Sequence, residues 1–173
     1  MSTKVVYLHH VKGSSMDHQQ DDLEARVSAL EHHLENEESH DRHHAVLFAA
    51  TRSVRNGPPK PGSPIVFDQV QLNREEGYTN DTGIFTCPEE GIYFFAFSFL
   101  PRRDISDTIV ALVKNNVVHE RLYSSLPAGT TQLSERSCLL QLEKGDRVWV
   151  KLEKGSVFMH QASMSFLGYR ISS

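Results

Sequence analysis

This chain of 173 residues has no long apolar segment, only two cysteines and a small net charge. No stretch of about 18 apolar residues occurs, so the sequence predicts no membrane-spanning helix. Two cysteines are too few for a disulfide-built scaffold. The formal net charge is −4. A nucleic-acid-binding protein would need a concentrated basic face, so this charge argues against nucleic-acid binding. Glycine does not recur at every third residue, which excludes a collagen helix.

Catalytic signatures are missing as well. The chain has no Gly-x-Ser-x-Gly, no phosphate-cradling loop and no His-Glu-x-x-His. Beyond residue 44 the only histidines are His119 and His160, and neither lies in a spacing that suggests a triad. Thiols on buried strands are usually inert. The sequence therefore predicts that the protein is not an enzyme.

Charge and aromatic content divide the chain near residue 44. Residues 1–44 hold nine acidic and four basic side chains, whereas residues 45–173 hold thirteen and fourteen. All nine phenylalanines and the single tryptophan follow residue 44, so residues 45–173 are predicted to be the globular domain. Residues 1–15 are expected to be a flexible N-terminus, whose apolar run is too short and too polar for a secretory leader.

Residues 16–35 carry a heptad seam. Its members are Met16, Gln20, Leu23, Val27, Leu30 and Leu34, alternately four and three apart. This spacing is typical of the a and d positions of a coiled coil. Because an isolated helix of this length is marginal in water, we expect a short parallel coiled-coil stalk. A lone amphipathic helix packed on its own domain is the alternative.

Histidine is concentrated before the globular domain, with eight of the ten in residues 1–44. The neck, residues 36–44, contains His40, His43 and His44. His40 and His44 are four residues apart, a spacing that places both on one helical face and is common in metal chelation. Glu37 and Asp41 could add oxygen ligands. The neck is thus a candidate site for Zn²⁺ or Cu²⁺, with a hydrated polar spacer as the alternative.

The region from Ile65 to Phe99 holds aromatic, asparagine and glycine residues at fixed offsets. They are Phe67, Asn73, Tyr78, Phe85, Gly91, Tyr93, Phe95 and Phe97. Residues 92–99 alternate with period 2, and both alternating sets are largely apolar. This predicts a strand buried on both faces, inside a sandwich or at a subunit interface. Glu89-Glu90-Gly91 predicts a turn in which Gly91 can adopt a backbone conformation closed to other residues.

Turn-forming residues mark the boundaries of other elements. Asn115-Asn116 predicts a tight hairpin between strands at residues 108–114 and 117–123. Asn56–Pro64, with four prolines, predicts a surface loop. Asn80-Asp81-Thr82 predicts a turn and is also a glycosylation sequon. Asn80 is therefore a candidate glycosylation site, with a purely turn-forming role as the alternative.

The aromatic spacing resembles the signature of the C1q domain, the globular head of complement C1q. Ala45–Arg52 resembles the first strand of that head, and Phe166-Leu167-Gly168 resembles its closing segment, so the likeness covers residues 45–173. It implies an all-β fold, a ten-stranded jelly-roll β-sandwich of the C1q/TNF-like kind. A short α-helical coiled coil would precede it in place of collagen. The resemblance also implies a secreted homotrimer without known catalysis.

For short members without collagen, the resemblance implies lectin-like carbohydrate binding: pattern recognition of microbial or other glycans in innate immunity. Two alternatives stay open. One is a secreted receptor-binding ligand of cerebellin or adiponectin type. The other is a His-rich divalent-metal-binding protein of the extracellular space or of biomineralisation.

Three segments are plausible ligand surfaces: Arg102–Asp107, Ser124–Gln132, and Arg74–Asp81 with Tyr78, although Tyr78 is more typical of a structural residue. Some C1q relatives bind calcium through aspartates in the loop after the fifth strand. The matching loop here, Ser124–Gln132, has no carboxylate, so no calcium cluster is expected.

The two cysteines, Cys87 and Cys138, leave several alternatives. In the family fold Cys138 begins a strand, Cys138–Leu142, that lies beside the aromatic strand, and Cys87 precedes the aromatic strand. The two could form a disulfide, cross-link protomers or remain free.

Overall fold

A computed structural model describes residues 25–32, 45–53, 57–102, 107–127, 129–157 and 164–172. The chain divides into two units, Met1–His44 and Ala45–Ser173. In the first unit, residues 25–32 form a helix whose side chains are all exposed, Val27 and Leu30 among them. This helix lies inside the predicted stalk segment 16–35, and its pairing with other copies stays a prediction.

The described part of the second unit holds ten β-strands. They are β1 (Leu47–Thr51), β2 (Gln69–Arg74), β3 (Tyr78–Thr79), β4 (Ile84–Thr86), β5 (Gly91–Phe99), β6 (Asp107–Lys114), β7 (Val117–Ser125), β8 (Ser134–Leu142), β9 (Arg147–Lys154) and β10 (Ser165–Ser172). They form two five-stranded sheets: a first sheet in the order β2-β1-β10-β5-β8 and a second sheet in the order β3-β4-β9-β6-β7. The strand pairs are antiparallel. This architecture confirms the predicted jelly-roll sandwich.

Aromatic rings fill the core. The ring centroid of Phe48 in β1 lies 4.8 Å from that of Tyr78, 5.1 Å from that of Phe85 and 4.9 Å from that of Phe166. The inward residues of β5 are fully buried, namely Tyr93, Phe95, Phe97 and Phe99. Tyr78 and Phe85 belong to the second sheet, and Phe48 and Phe166 to the first. These large apolar contacts therefore hold the two sheets together.

The outward side of β5 differs in part from the prediction. Ala96 and Ser98 are buried, but Ile92 is 41% exposed and Phe94 is only half-buried. Within one chain, β5 is therefore not fully buried on its outward side at these two positions, and the predicted alternative, burial at a subunit interface, stays a prediction. The apolar side chains there face outward from the first sheet.

The predicted turns at Asn80-Asp81-Thr82 and at Asn115-Asn116 are confirmed, and so is the predicted need for glycine at position 91. Asn115 and Asn116 join β6 to β7 with φ of 48° and 69°, the left-handed pair that a two-residue hairpin requires and asparagine tolerates. Gly91 has a φ of 152°. A Cβ at this position would clash with the backbone carbonyl of Ser172, so the start of β5 requires glycine.

Candidate assembly face and ligand-binding groove

An apolar row crosses the outer side of the first sheet. Leu47, Tyr169, Phe94 and Leu139 occupy directly opposed positions on β1, β10, β5 and β8, and opposed residues of antiparallel strands share a face. The ring centroids of Phe94 and Tyr169 are 5.2 Å apart. Leu139 is 60% exposed and Tyr169 is 45% exposed. The described residues of this chain thus leave much of the row open to solvent.

A second row runs beside the first. It consists of Leu72, Ala49, Leu167 and Ala96 on β2, β1, β10 and β5. Beyond it the surface becomes polar, because Thr51 lies opposite Ser165 and the hydroxyl oxygens of Ser165 and Ser98 are 2.8 Å apart. The two rows together are the apolar face. Contiguous exposed apolar surface of this kind is typical of an interaction site.

Other exposed apolar side chains lie near the edge formed by β7 and β8. Val117 and Tyr123 of β7 and Leu133, directly before β8, are exposed, and together they are the edge patch. Arg136 of β8 donates to Glu120 of β7 at 2.6 Å. This ion pair links the two sheets at the edge, although its exposure limits it to a small stabilising effect.

A groove of about 360 Å³ lies between the proline-rich loop and the turn that joins β3 to β4. Its lining includes Pro58, Pro59, Lys60 and Ser63 from the loop and Asn80 and Asp81 from the turn. Backbone hydrogen bonds from Gly62 N to Leu152 O and from Ile65 N to Val150 O, both 2.7 Å, hold the loop against β9. This proline groove has the volume of a small-molecule site, about 300–1,000 Å³.

Two charged residues in the lining hold the groove together. The buried guanidinium of Arg52 donates to the carbonyl of Val66 at 2.5 Å and to the carbonyl of Gly57. Asp68 accepts hydrogen bonds from the amide and the hydroxyl of Ser53 at 2.8 and 2.5 Å. Burial alone would raise the pKa of Asp68, but the hydrogen bonds that its carboxylate accepts, those from Ser53 foremost and one from Gln69, together outweigh burial and lower that pKa to about 2. The Asp68 carboxylate is therefore ionised at neutral pH.

Tyr78, although it lies in a predicted ligand segment, is a core residue. It is 3% exposed. Its hydroxyl accepts a hydrogen bond from the amide of Phe67 at 3.2 Å and donates one to the carbonyl of Phe67 at 3.0 Å. Burial raises the pKa of Tyr78 well above its usual range. The side chain of Asn73 donates to the carbonyl of Tyr78 at 2.8 Å and accepts from its amide at 3.1 Å. The structural role of Tyr78 leaves it unable to contact a ligand.

The other predicted segments are described unevenly. Arg102–Asp107 is described only at its two end residues, and Ser124–Gln132 apart from residue 128. Thr131 of the second segment donates a hydrogen bond to the carbonyl of Pro101 at 2.8 Å, and Pro101 directly precedes the first segment. Asn80 is exposed in the β3–β4 turn, where a glycan could be attached, and its glycosylation stays a prediction.

The predicted metal site cannot be placed, because His40, His43 and His44 lie outside the described residues. Within the described ranges, no three His, Cys, Asp or Glu side chains come together as a metal site.

Both cysteines carry free thiols in the structure. Cys138 lies opposite Phe95 in mid-strand, and Leu142 lies opposite Gly91. Four residues of strand, roughly 13 Å, therefore separate Cys138 from the end of β8. The amide of Cys87 bonds to the carbonyl of Asp146, in the turn beyond that end. This separation exceeds the reach of a disulfide, so the fold does not bring the two thiols together, and their redox state in solution stays a prediction.

Sequence reasoning did not single out Arg52 or Asp68. It assigned Arg52 to the end of the first strand, and it treated the prolines as a surface loop. The available signal was a charged residue on each side of a proline-rich segment. A charged residue on each side does not indicate that residues 62–65 bond to β9 and so form one side of the proline groove.

Solved structures share this two-sheet architecture. The globular domain of zebrafish complement 1qA matches with a TM-score of 0.62 at 20% identity, over 73% of this chain and 97% of that one. Eiger TNF from S. frugiperda matches with a TM-score of 0.63 at 13% identity, over 75% and 94%. At these identities the likeness shows the fold alone, which is the C1q/TNF class of jelly roll.

Sequence comparison identifies the family. Residues 47–171 match the family model of the C1q domain. A complement C1q subcomponent of Rattus norvegicus is 31% identical over 126 residues, 70% of this chain and 51% of that protein. Complement C1q tumor necrosis factor-related protein 3 of Mus musculus is 32% identical over 108 residues, 62% and 44%. The chain belongs to the C1q-domain family, as its aromatic spacing predicts, and spans about half the length of these two relatives.

The first unit adds one negative finding. Among the helical residues that the structure describes, none forms a segment long and apolar enough to cross a membrane.

Proposed function

We propose that this chain is a non-enzymatic, secreted recognition protein that assembles as a homotrimer and binds glycans in the manner of a lectin. The apolar face carries the proposal. Two apolar rows that cross most of a sheet, with Leu139 60% exposed, need a partner surface. C1q and TNF-like domains typically form trimers, and a trimer would cover this face.

A threefold assembly needs two different complementary patches on each copy, because a cyclic trimer has a heterologous interface. The apolar face and the edge patch supply such a pair. The edge patch of one copy, with Val117 and Tyr123, would pack on the neighbour's apolar face, which includes Leu139 and Tyr169. Repeating this contact around an axis closes a ring of three copies.

The helical segment 25–32 fits the same assembly. Its exposed Val27 and Leu30 belong to the heptad seam and would face equivalent residues of two other copies. Trimeric heads hold three such helices at high local concentration. This offsets the marginal stability of a short helix in water.

The state of the thiols favours recognition over catalysis. Burial raises the pKa of Cys87, and it raises the pKa of Cys138 to about 11. Both are therefore protonated at neutral pH and are poor nucleophiles. Three identical sites on a rigid trimer would instead provide avidity, which can exceed single-site affinity by about 10²–10⁴-fold.

A glycan array with the full-length chain tests the proposal. The variant Leu139→Asp places a charge in the apolar face, and Thr86→Asp places the same charge on an exposed strand position of the second sheet as a matched control. We expect the wild type and Thr86→Asp to bind a defined set of glycans, and Leu139→Asp to lose most of the signal with avidity. The absence of any glycan binding by a properly assembled wild type would contradict the lectin proposal and favour a protein receptor as the partner.

A further inference from the structure

We infer that the proline groove is the saccharide-binding site of this domain and that its ligand is a neutral sugar. The inference rests on the proposed lectin function. It adds the position of the site on the head and the charge class of the ligand.

Charge balance in the groove argues for a neutral ligand. Among the residues that the structure describes, the lining has two cationic side chains, Arg52 and Lys60, and two carboxylates, Asp68 and Asp81. A phosphate or sulfate site would need an excess of cationic donors, and a cation site would need an excess of carboxylates. The charge of Arg52 is opposed by that of Asp68, and the lining carries Asp81 as well as Lys60, so the described lining presents no net formal charge to an ionic ligand.

The lining combines apolar and hydrogen-bonding surface. Pro58, Pro59 and Pro64 contribute apolar ring surface, while Lys60, Ser63, Asn80 and Asp81 contribute donors and acceptors. A pyranose has matching chemistry, because its ring carbons present C–H faces and its hydroxyls both donate and accept hydrogen bonds. The volume of about 360 Å³ lies at the small end of ligand sites, which limits the ligand to a short saccharide.

The groove is held in shape before any ligand binds. Proline rings fix the backbone φ of the loop. The guanidinium of Arg52 holds the loop at both ends, through the carbonyls of Gly57 and Val66. The amides of Gly62 and Ile65 bond to β9 at 2.7 Å. Such preorganisation lowers the entropy cost of binding, which matters for a ligand that makes few contacts.

A second concavity provides a contrast. It measures about 460 Å³ and is lined by residues 90, 91 and 141–144, among them Glu90, Glu143 and Lys144. Its lining, as far as the structure describes it, has two carboxylates for one ammonium group and neither a proline nor an aromatic ring to contact the face of a sugar. Its chemistry therefore fits a neutral saccharide less well. The described lining of each concavity includes no residue of the apolar face or of the edge patch, so three proline grooves would stay accessible in the proposed trimer.

The test uses the full-length chain produced in a host without N-glycosylation, so that Asn80 carries no glycan. Isothermal titration calorimetry with glucose, galactose, mannose, N-acetylglucosamine and lactose measures the neutral sugars, and sialyllactose is the charged comparison. The variants are Asp81→Ala and Lys60→Ala, both on exposed residues. The matched control is Lys144→Ala, also exposed and in the second concavity. Light scattering and thermal melting confirm that each variant keeps its assembly and stability.

We expect at least one neutral sugar to bind the wild type and the affinity to fall about tenfold or more in Asp81→Ala, as expected for the loss of a hydrogen bond to a charged group. Lys60→Ala should weaken binding in the same direction, and Lys144→Ala should match the wild type. Binding that survives both groove substitutions, or that is lost in Lys144→Ala alone, would overturn the groove assignment and leave the lectin function standing. Binding of sialyllactose alone would overturn the neutral-ligand assignment. A wild type that binds no glycan would refute the proposed function, and this inference with it.

Discussion

Replacing Tyr78 with phenylalanine separates a structural role from a ligand-binding one. The substitution keeps the ring, which stacks on Phe48 with a centroid distance of 4.8 Å. It removes only the hydroxyl, which accepts from the amide and donates to the carbonyl of Phe67. Both backbone groups would then be buried without this partner. Each buried unsatisfied polar group costs about 1–3 kcal/mol, so for the two groups we expect the free energy of unfolding to fall by about 2–6 kcal/mol.

Urea unfolding followed by circular dichroism measures this loss, with all variants at the same protein concentration because the stability of an oligomer depends on concentration. Thr86→Val is the control, because it also removes one hydroxyl and Thr86 is exposed on β4, outside the apolar face and the edge patch. Its loss of a hydroxyl should change stability by less than about 0.5 kcal/mol. The melting temperature of Tyr78→Phe should fall by roughly 5–15 °C. The reasoning fails if Tyr78→Phe unfolds together with the wild type, or if it loses glycan binding while its stability is unchanged.

Three further predictions concern acid stability, core packing and the thiols. The lowered pKa of Asp68 stabilises the fold above its unfolded value of 3.8, and this contribution is lost as the pH falls towards about 2. After solvent screening it amounts to about 1 kcal/mol, so melts at pH 7, 4 and 2.5 should show a weaker acid dependence in Asp68→Asn; an unchanged profile would contradict this. Gly168→Ala places a Cβ 2.6 Å from the ring of Phe95 and should destabilise the fold by about 1–3 kcal/mol in urea, whereas wild-type stability would show that the core has spare room. Because burial raises the pKa of Cys87 and of Cys138, both thiols should react with Ellman's reagent far more slowly in the native protein than in urea; equal rates would contradict the burial, and no thiol in urea would reveal a disulfide.

The sequence predicted most accurately those structural features that depend on interactions between neighbouring residues. The alternation along β5, the asparagine pair between β6 and β7 and the need for glycine at position 91 each depend on a few neighbouring residues. The structure confirms the asparagine turn and the glycine, and it buries the inward residues of β5 as the alternation predicts. The resemblance to the C1q domain then supplied the architecture, a ten-stranded jelly-roll sandwich, which local patterns alone do not determine.

The candidate sites were predicted less well because they depend on contacts between distant segments. The wall of the proline groove exists because Ile65 bonds to Val150, which lies in a strand 85 residues further along the chain. Arg52 holds the groove in shape by donating hydrogen bonds to the carbonyls of Gly57 and Val66. The residues next to Arg52 in the sequence do not indicate this role. The alternation in β5 predicted two apolar faces, but it did not show that Ile92 would stay exposed within one chain.

Assembly is the central claim, and the mass of the full-length chain in solution tests it most directly. Multi-angle light scattering should give about 59 kDa for the wild type, three times the chain mass of 19.6 kDa. Thr86→Asp should give the same mass, and Leu139→Asp should shift towards the mass of one chain. A wild type that stays at about 20 kDa at micromolar concentration, or a Leu139→Asp variant that remains trimeric, would contradict the assignment of the apolar face as the assembly surface.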